Sequence, residues 1–198
     1  MNHIQIYDNA LPKESCHKII DYFEFGDVSK DIGKTWDASG VGKVDKSFKD
    51  STDLYLNMDN THHRIEMDIS KIIIPTLQEC IEKYKKKFPQ LTNNIGYWKC
   101  VPYYNIQRFS EGQGYHQIHC EATTRDVADR ILVWMIYLNN AKCGTRFYYP
   151  TRDVKAKEGR LVLWPAYIKH RVETNTTDDD RISISFNIKI TGSNQQPL

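Results

Sequence analysis

Several things are missing from this sequence. No stretch approaches the about 18 consecutive apolar residues of a membrane-crossing helix, and the opening run Met1-Asn2-His3-Ile4-Gln5-Ile6-Tyr7-Asp8 lacks a basic region followed by an apolar one, so neither a span nor a leader is expected. Cysteine is sparse and scattered. Cys16, Cys80, Cys100, Cys120 and Cys143 are odd in number and contain no CxxC pair, which argues against a disulfide framework or a zinc ribbon and favours a reducing cytoplasm. Excess charge of one sign is absent as well. With 27 basic against 25 acidic residues the formal charge is +2, and composition gives no footprint for nucleic acid or an anionic membrane surface. There is no internal repeat.

What is present suits a folded, β-rich chain. Its 198 residues are enough for one domain with a sizeable core, and 40% apolar and 12% aromatic content is ordinary for one. His3 to Tyr7 alternates like an opening strand, and Leu11-Pro12-Lys13-Glu14 starts a helix that buries Cys16, Ile19, Ile20 and Phe23. Residues 26–53 read as a long loop or weak hairpin, with 34–50 a candidate substrate lid. From Thr61 to Phe88 the apolar residues recur at helical intervals. Pro75 interrupts them, so a kink or two helices are expected there, and His62-His63 reads as a polar helix entrance. After Pro89 the texture changes to strands: Trp98–Phe109, Tyr115–Glu121, Ile131–Leu138, Thr145–Tyr149, Arg160–Trp164, His170–Glu173 and Arg181–Ile190. The expected organisation is a single domain over 1–198, with helical and loop support in 1–97, a β core in 98–190 and a flexible tail in 191–198.

The chemistry concentrates in Gly112-Gln113-Gly114-Tyr115-His116-Gln117-Ile118-His119-Cys120-Glu121. In a strand, His119 and Glu121 share a face. With His170 as a third ligand, two imidazoles and a carboxylate occupy one side of a cation and leave the other open, an arrangement suited to ferrous iron. The last strand alternates Ile182, Ile184, Phe186, Ile188 and Ile190 with Arg181, Ser183, Ser185, Asn187 and Lys189. A solvated polar face is the bland reading of the second set. If that face lines a barrel mouth, the Arg181 guanidinium suits a carboxylate. Cys120 and Cys143 read as packing residues, His116 as a residue behind the ligands or at the rim, and Arg125, Arg130, Arg146 and Arg152 as solvated loop charges, with the lining of a substrate entrance as the alternative for each.

In order, His119-x-Glu121, Tyr137-Leu138-Asn139, Gly144-Thr145-Arg146-Phe147, Gly159 to Pro165, His170 and Arg181-x-Ser183 resemble the Fe(II)/2-oxoglutarate-dependent oxygenases, in their prolyl 4-hydroxylase-like viral and bacterial branch. The resemblance covers about residues 98–190. It implies a mainly β fold, a double-stranded β-helix (jelly roll) with flanking helices. It further implies that His119, Glu121 and His170 hold Fe(II), with no catalytic group beyond these ligands. Arg181, with Tyr137 and Ser183, would bind 2-oxoglutarate. Dioxygen is the cosubstrate, ascorbate an accessory reductant, and the partner a proline-containing peptide or protein hydroxylated with release of succinate and CO2. Neither nucleic acid nor membrane is expected as a partner, and the location would be the cytoplasm, a host's if the source is viral. The same chemistry on a free amino acid, small metabolite or nucleobase, or a non-catalytic jelly-roll binding module, stays open. Two departures stand out: Glu121 replaces the family's usual aspartate, and Phe109 stands where many prolyl hydroxylases carry tyrosine, leaving Tyr103, Tyr104 or Gln107 to supply that contact.

Overall fold

The computed structural model describes residues 2–36, 41–57, 64–92 and 96–191. Strand β1 (Gln5–Tyr7) precedes helix α1 (Lys13–Phe25), and short strands β2 (Asp31–Ile32), β3 (Thr35–Trp36), β4 (Gly42–Lys43) and β5 (Lys49–Asp50) lead into β6 (Thr52–Asn57). Helices α2 (Arg64–Lys87) and α3 (Pro89–Thr92) follow. Then come β7 (Tyr97–Cys100), β8 (Tyr103–Phe109), β9 (Gly114–His119), β10 (Arg130–Tyr137), β11 (Gly144–Tyr148), β12 (Arg152–Lys155), β13 (Leu161–Pro165), β14 (Lys169–Val172) and β15 (Arg181–Thr191). No helix among the described residues is long and apolar enough to cross a membrane.

The last eight strands pair from the outside inward. β8 pairs with β15, β9 with β14, β10 with β13 and β11 with β12, all antiparallel. Such nested pairing winds the chain into a jelly roll, with β13-β10-β15-β8 in one sheet and β12-β11-β14-β9 in the other. Expectation and structure agree on this core. Three differences concern its surroundings. β1 and β6 extend the first sheet and β5 the second, so residues before 98 supply barrel strands as well as helices. The strand expected over 98–109 is broken at Pro102, which has no N–H to donate, and β7 and β8 instead pair with successive parts of β15. Arg152–Lys155, not anticipated as a strand, closes the smaller sheet beside β11.

One helix runs through Pro75 rather than two meeting there. The hydrogen bond lost at proline is outweighed by packing, because Ile69, Ile73, Leu77, Cys80, Ile81 and Tyr84 all bury on the first sheet. Burying each such side chain contributes about 1.5–3 kcal/mol. β10 shows how both faces of that sheet are used: Leu132, Trp134 and Ile136 enter the helix-side core, whereas Val133, Met135 and Tyr137 enter the core between the sheets. Because Met135 lies opposite Ser185, Val133 opposite Asn187 and Tyr137 opposite Ser183, the polar residues of β15 point between the sheets as well. Arg181, Ser183 and Asn187 are buried, which overturns the bland solvent-facing reading of that set. The lid candidate 34–50 falls partly on residues 37–40, and His62-His63 wholly, outside the described residues.

Candidate metal and cosubstrate site

The site begins with strand register. His170 on β14 lies directly opposite His119 on β9, next to a register shift before Val172. Directly opposed residues on antiparallel strands bring their side chains together, and these rings sit with centroids 4.3 Å apart. Glu121 arrives differently from the expectation that it shares a strand face with His119, since β9 ends at His119 and Glu121 lies in the bend beyond it. That bend is fixed by the N–H groups of Glu121 and Ala122, which donate to the Ala166 carbonyl at 2.9 and 3.1 Å in the turn leading to His170. The longer glutamate side chain therefore reaches back from outside the strand. One carboxylate oxygen, Oε1, lies 3.6 Å from His119 Nε2 and 3.9 Å from His170 Nε2. Ligand atoms of the three residues all lie within 4.8 Å of one another.

Each imidazole is oriented by its other nitrogen. Nδ1 of His119 is 3.0 Å from the Gln117 carbonyl and Nδ1 of His170 is 3.1 Å from the Ile168 carbonyl. A carbonyl only accepts, so Nδ1 carries the proton in both rings, and each Nε2 lone pair faces the shared centre. Burial pushes His170 well below the ordinary imidazole range, with His119 adding to the effect; burial also lowers His119, against the pull of Glu121. Both are thus held as the neutral bases a metal requires. Walls of aromatic rings fix their planes: Tyr115 stacks on His119 at 3.8 Å, and Trp164 meets His170 edge-on at 5.1 Å.

The second oxygen of Glu121 is gripped from behind. Arg130 Nη1 donates to Oε2 at 3.3 Å and to the Glu121 carbonyl at 3.4 Å, and Asn187 Nδ2 approaches Oε2 at 3.5 Å. The reading of Arg130 as a solvated loop charge fails here, because the end of β10 carries it toward the bend that holds Glu121. Arg146 and Arg152 stay outside the cavity wall: Arg146 pairs with Asp153, and Arg152 donates to the Ile4 carbonyl.

Arg181 lines the same cavity, whose volume is about 610 Å³. It is fully buried, its guanidinium lies 5.0 Å from the ring centres of both Phe109 and Tyr137, and among the described residues Nη2 contacts Thr145 Oγ1 and Met135 Sδ, each at 3.3 Å. Nε and Nη1 have no partner among the described residues. A buried guanidinium lacking a carboxylate is costly, and its cost is met when an anion enters. Phe109, for which the resemblance implied the place of a tyrosine, is a face for this cation. Of the proposed substitutes for that tyrosine, Tyr103 and Gln107 line the cavity, whereas the Tyr104 hydroxyl turns to Ser70 and the Glu66 carbonyl.

Tyr137 and Ser183 stand otherwise than expected. The Tyr137 hydroxyl donates to Thr145 Oγ1 at 2.8 Å and reaches the Val154 carbonyl at 3.2 Å, so the ring supports Arg181 while Thr145 meets the cavity. Ser183 Oγ is buried without a partner among the described residues and is not part of the cavity wall. Thr145 went unnoticed in the sequence because only its pairing with Arg181 marks it. His116 turns to Thr174, away from the cavity. Cys120 and Cys143 behave as packing groups, both thiols being pushed up chiefly by burial.

Residues 108–187 match the family model described as "Putative 2OG-Fe(II) oxygenase". Over that segment the chain is similar to the 2OG-Fe(II) oxygenases. No curated protein sequence matches the chain. Among solved structures, the Trichoplax adhaerens prolyl hydroxylase in complex with a hypoxia inducible factor oxygen degradation domain peptide fragment has a TM-score of 0.69 at 15% identity, covering 96% of this chain and 84% of that one. A Pseudomonas putida prolyl-4-hydroxylase gives 0.64 at 14%, covering 97% and 95%. The viral collagen prolyl hydroxylase of Paramecium Bursaria Chlorella virus-1, in a 2OG complex, gives 0.63 at 14%, covering 96% and 97%. At these identities the likeness is one of fold, the jelly roll. The family implies Fe(II), 2-oxoglutarate and dioxygen. The donor set fits them: two neutral imidazole nitrogens and a carboxylate oxygen for the ion, and unpaired buried N–H groups for an anionic cosubstrate.

Proposed function

We propose that this protein is an Fe(II)- and 2-oxoglutarate-dependent dioxygenase that hydroxylates a prolyl residue in a peptide or protein. The observation that carries the reading is one cavity lined both by the cluster of His119, Glu121 and His170 and by the unpaired Arg181. In this reading His119 Nε2, His170 Nε2 and Glu121 Oε1 hold the metal. Bound iron supplies the redox chemistry, in which 2-oxoglutarate and O2 give succinate and CO2 while the second oxygen atom enters a substrate C–H bond as hydroxyl. Arg181 receives the distal carboxylate through Nε and Nη1, its plane fixed between Phe109 and Tyr137 and its Nη2 held by Thr145. Ser183, buried two residues along β15 but outside the cavity wall, backs the Arg181 end of the cavity rather than contacting the cosubstrate in this reading. Val133, Met135, Trp164 and Val172 wall the cavity with apolar surface and limit water around the reacting groups. The whole described chain acts as one unit in this reading, because β1, β5 and β6 complete the sheets that carry the site.

The prolyl substrate is supported by the motif order in Gly112–Glu121 and Tyr137–Phe147 and by the prolyl hydroxylases among the fold relatives. The test is anaerobic loading with Fe(II) and 2-oxoglutarate, followed by air and proline-containing peptides. Succinate and a one-oxygen mass gain on proline are expected. Succinate without peptide oxidation removes the prolyl claim, and absence of both removes the oxygenase reading for this site.

A further inference from the structure

The cavity contains a second, nearly inaccessible cation that the cosubstrate does not require. Lys49, on β5, lines it with only 4% of its surface exposed. Its ammonium contacts Asp53 Oδ2 at 2.5 Å, and Asp53 is fully buried. The Asp53 carboxylate also accepts from Ser51 Oγ at 2.7 Å, Asn105 Nδ2 at 3.0 Å and Tyr55 Oη at 3.2 Å. Gly33 closes over the cluster: its N–H donates to the Ser51 carbonyl at 2.8 Å, and a Cβ there would strike the Ser51 hydroxyl. Buried ion pairs of this sort contribute less to stability than well-packed apolar side chains would, so the arrangement calls for another reason.

Two features show what it presents to the cavity. An ammonium has three N–H groups, and Asp53 is the hydrogen-bond acceptor that Lys49 has among the described residues. Asn105 is 7% exposed, its Nδ2 is committed to Asp53, and its Oδ1 is buried with no partner among the described residues. The commitment of Nδ2 fixes which way the amide points. One carboxylate thus holds a donor and an acceptor side by side. The donor stands against the metal cluster, since Lys49 Nζ is 5.8 Å from the centre of the Tyr115 ring that stacks on His119.

We infer that Lys49 and Asn105, both anchored on Asp53, form a substrate subsite for a peptide amide, with Lys49 donating to its carbonyl oxygen and Asn105 Oδ1 accepting from its N–H. This rests on the metal and cosubstrate reading above and deepens it, because it names an uncharged amide as the recognised group. A free carboxylate would satisfy Lys49 and leave Asn105 Oδ1 unpaired.

The test uses the full chain loaded with Mn(II) and an unreactive 2-oxoglutarate analogue, which occupies Arg181. Paramagnetic relaxation of the protons of two probes, N-acetyl-prolyl-N-methylamide and acetate, then reports approach to the metal. The amide probe is expected to be relaxed, and about tenfold more weakly held in Lys49→Met/Asp53→Asn, the scale of one charge-assisted hydrogen bond. The double change removes both charges together, so no lone buried ion is left to unfold the protein, and Lys49→Arg is expected to restore binding. Amide relaxation that is absent in the wild type, unchanged in the double variant, or smaller than that of acetate overturns the inference. Failure of Mn(II) itself to enhance water relaxation shows instead that the underlying metal reading is wrong, and takes the inference with it.

Discussion

The two faces of the larger sheet are built from the same strands and obey opposite rules. On the helix side, Trp134, Ile136, Ile184 and Ile188 meet Ile73, Leu77 and Ile81 in a core of apolar side chains. On the side facing the other sheet, the same strands present Arg181, Ser183, Asn105 and Asn187, all buried and all with at least one polar atom unpartnered among the described residues. Burial without partners is destabilising, so the first face stabilises the fold and the second spends that stability on recognition. The difference teaches where substitutions affect folding and where they affect chemistry.

The largest separation is expected from one substitution on each face. Ile73→Ala opens a cavity under the helix, and is expected to cost about 2–5 kcal/mol of stability. Ile73 does not line the cavity and belongs to the helix-side core, so cosubstrate affinity measured on the surviving folded protein should not change. Arg181→Met should do the reverse. Losing two charge-assisted contacts is expected to weaken 2-oxoglutarate binding by about a hundredfold, while the ligand-free protein gains about 1 kcal/mol as an unpaired buried cation is replaced by an apolar side chain. Denaturant midpoints and calorimetric titration of both variants check this. A destabilised Arg181→Met, with unchanged 2-oxoglutarate affinity, would break the comparison.

The sequence was most legible where period-two alternation meets burial on both faces. β10 and β15 stand close to where they are expected, and the order of His119, Glu121, His170 and Arg181 along the chain was enough to suggest the fold. Register was not legible. Nothing in Lys169-His170-Arg171 says that His170 faces His119, because that depends on pairing across about 50 residues and on a bulge beside it. The Lys49–Asp53 cluster was hidden for another reason. Charges four apart in a Gly-, Asp- and Lys-rich stretch read as solvated loop, and only the strand pairing Asp53 opposite Gln107 brings them inside. Tyr137 shows the limit of carrying a role by position: its place in the strand was right, yet its hydroxyl is taken by Thr145 and the Val154 carbonyl.

The smallest expected effect concerns Arg130, which lies at the boundary between the two regimes. Its side chain is a quarter exposed, at 24%, and its contacts to Glu121 are long. A glutamate ligand can rotate to offer either or both oxygens, and the extra methylene relative to aspartate enlarges that freedom. Arg130 and Asn187 engage Oε2, leaving Oε1 toward the imidazoles. Partners that orient a ligand are commonly worth about 10–100-fold in metal affinity, and partial exposure places Arg130→Ala near the lower end, about tenfold. Co(II) titration of the cosubstrate-free protein should show that loss, with Arg181-dependent 2-oxoglutarate binding to the metal-saturated variant unchanged. Glu121→Asp sharpens the point. Its shorter carboxylate cannot span from the bend to both Arg130 and the imidazoles, so Arg130→Ala should cost little more in that background. Equal losses in the two backgrounds would show that Arg130 acts on metal binding through something other than the carboxylate it touches.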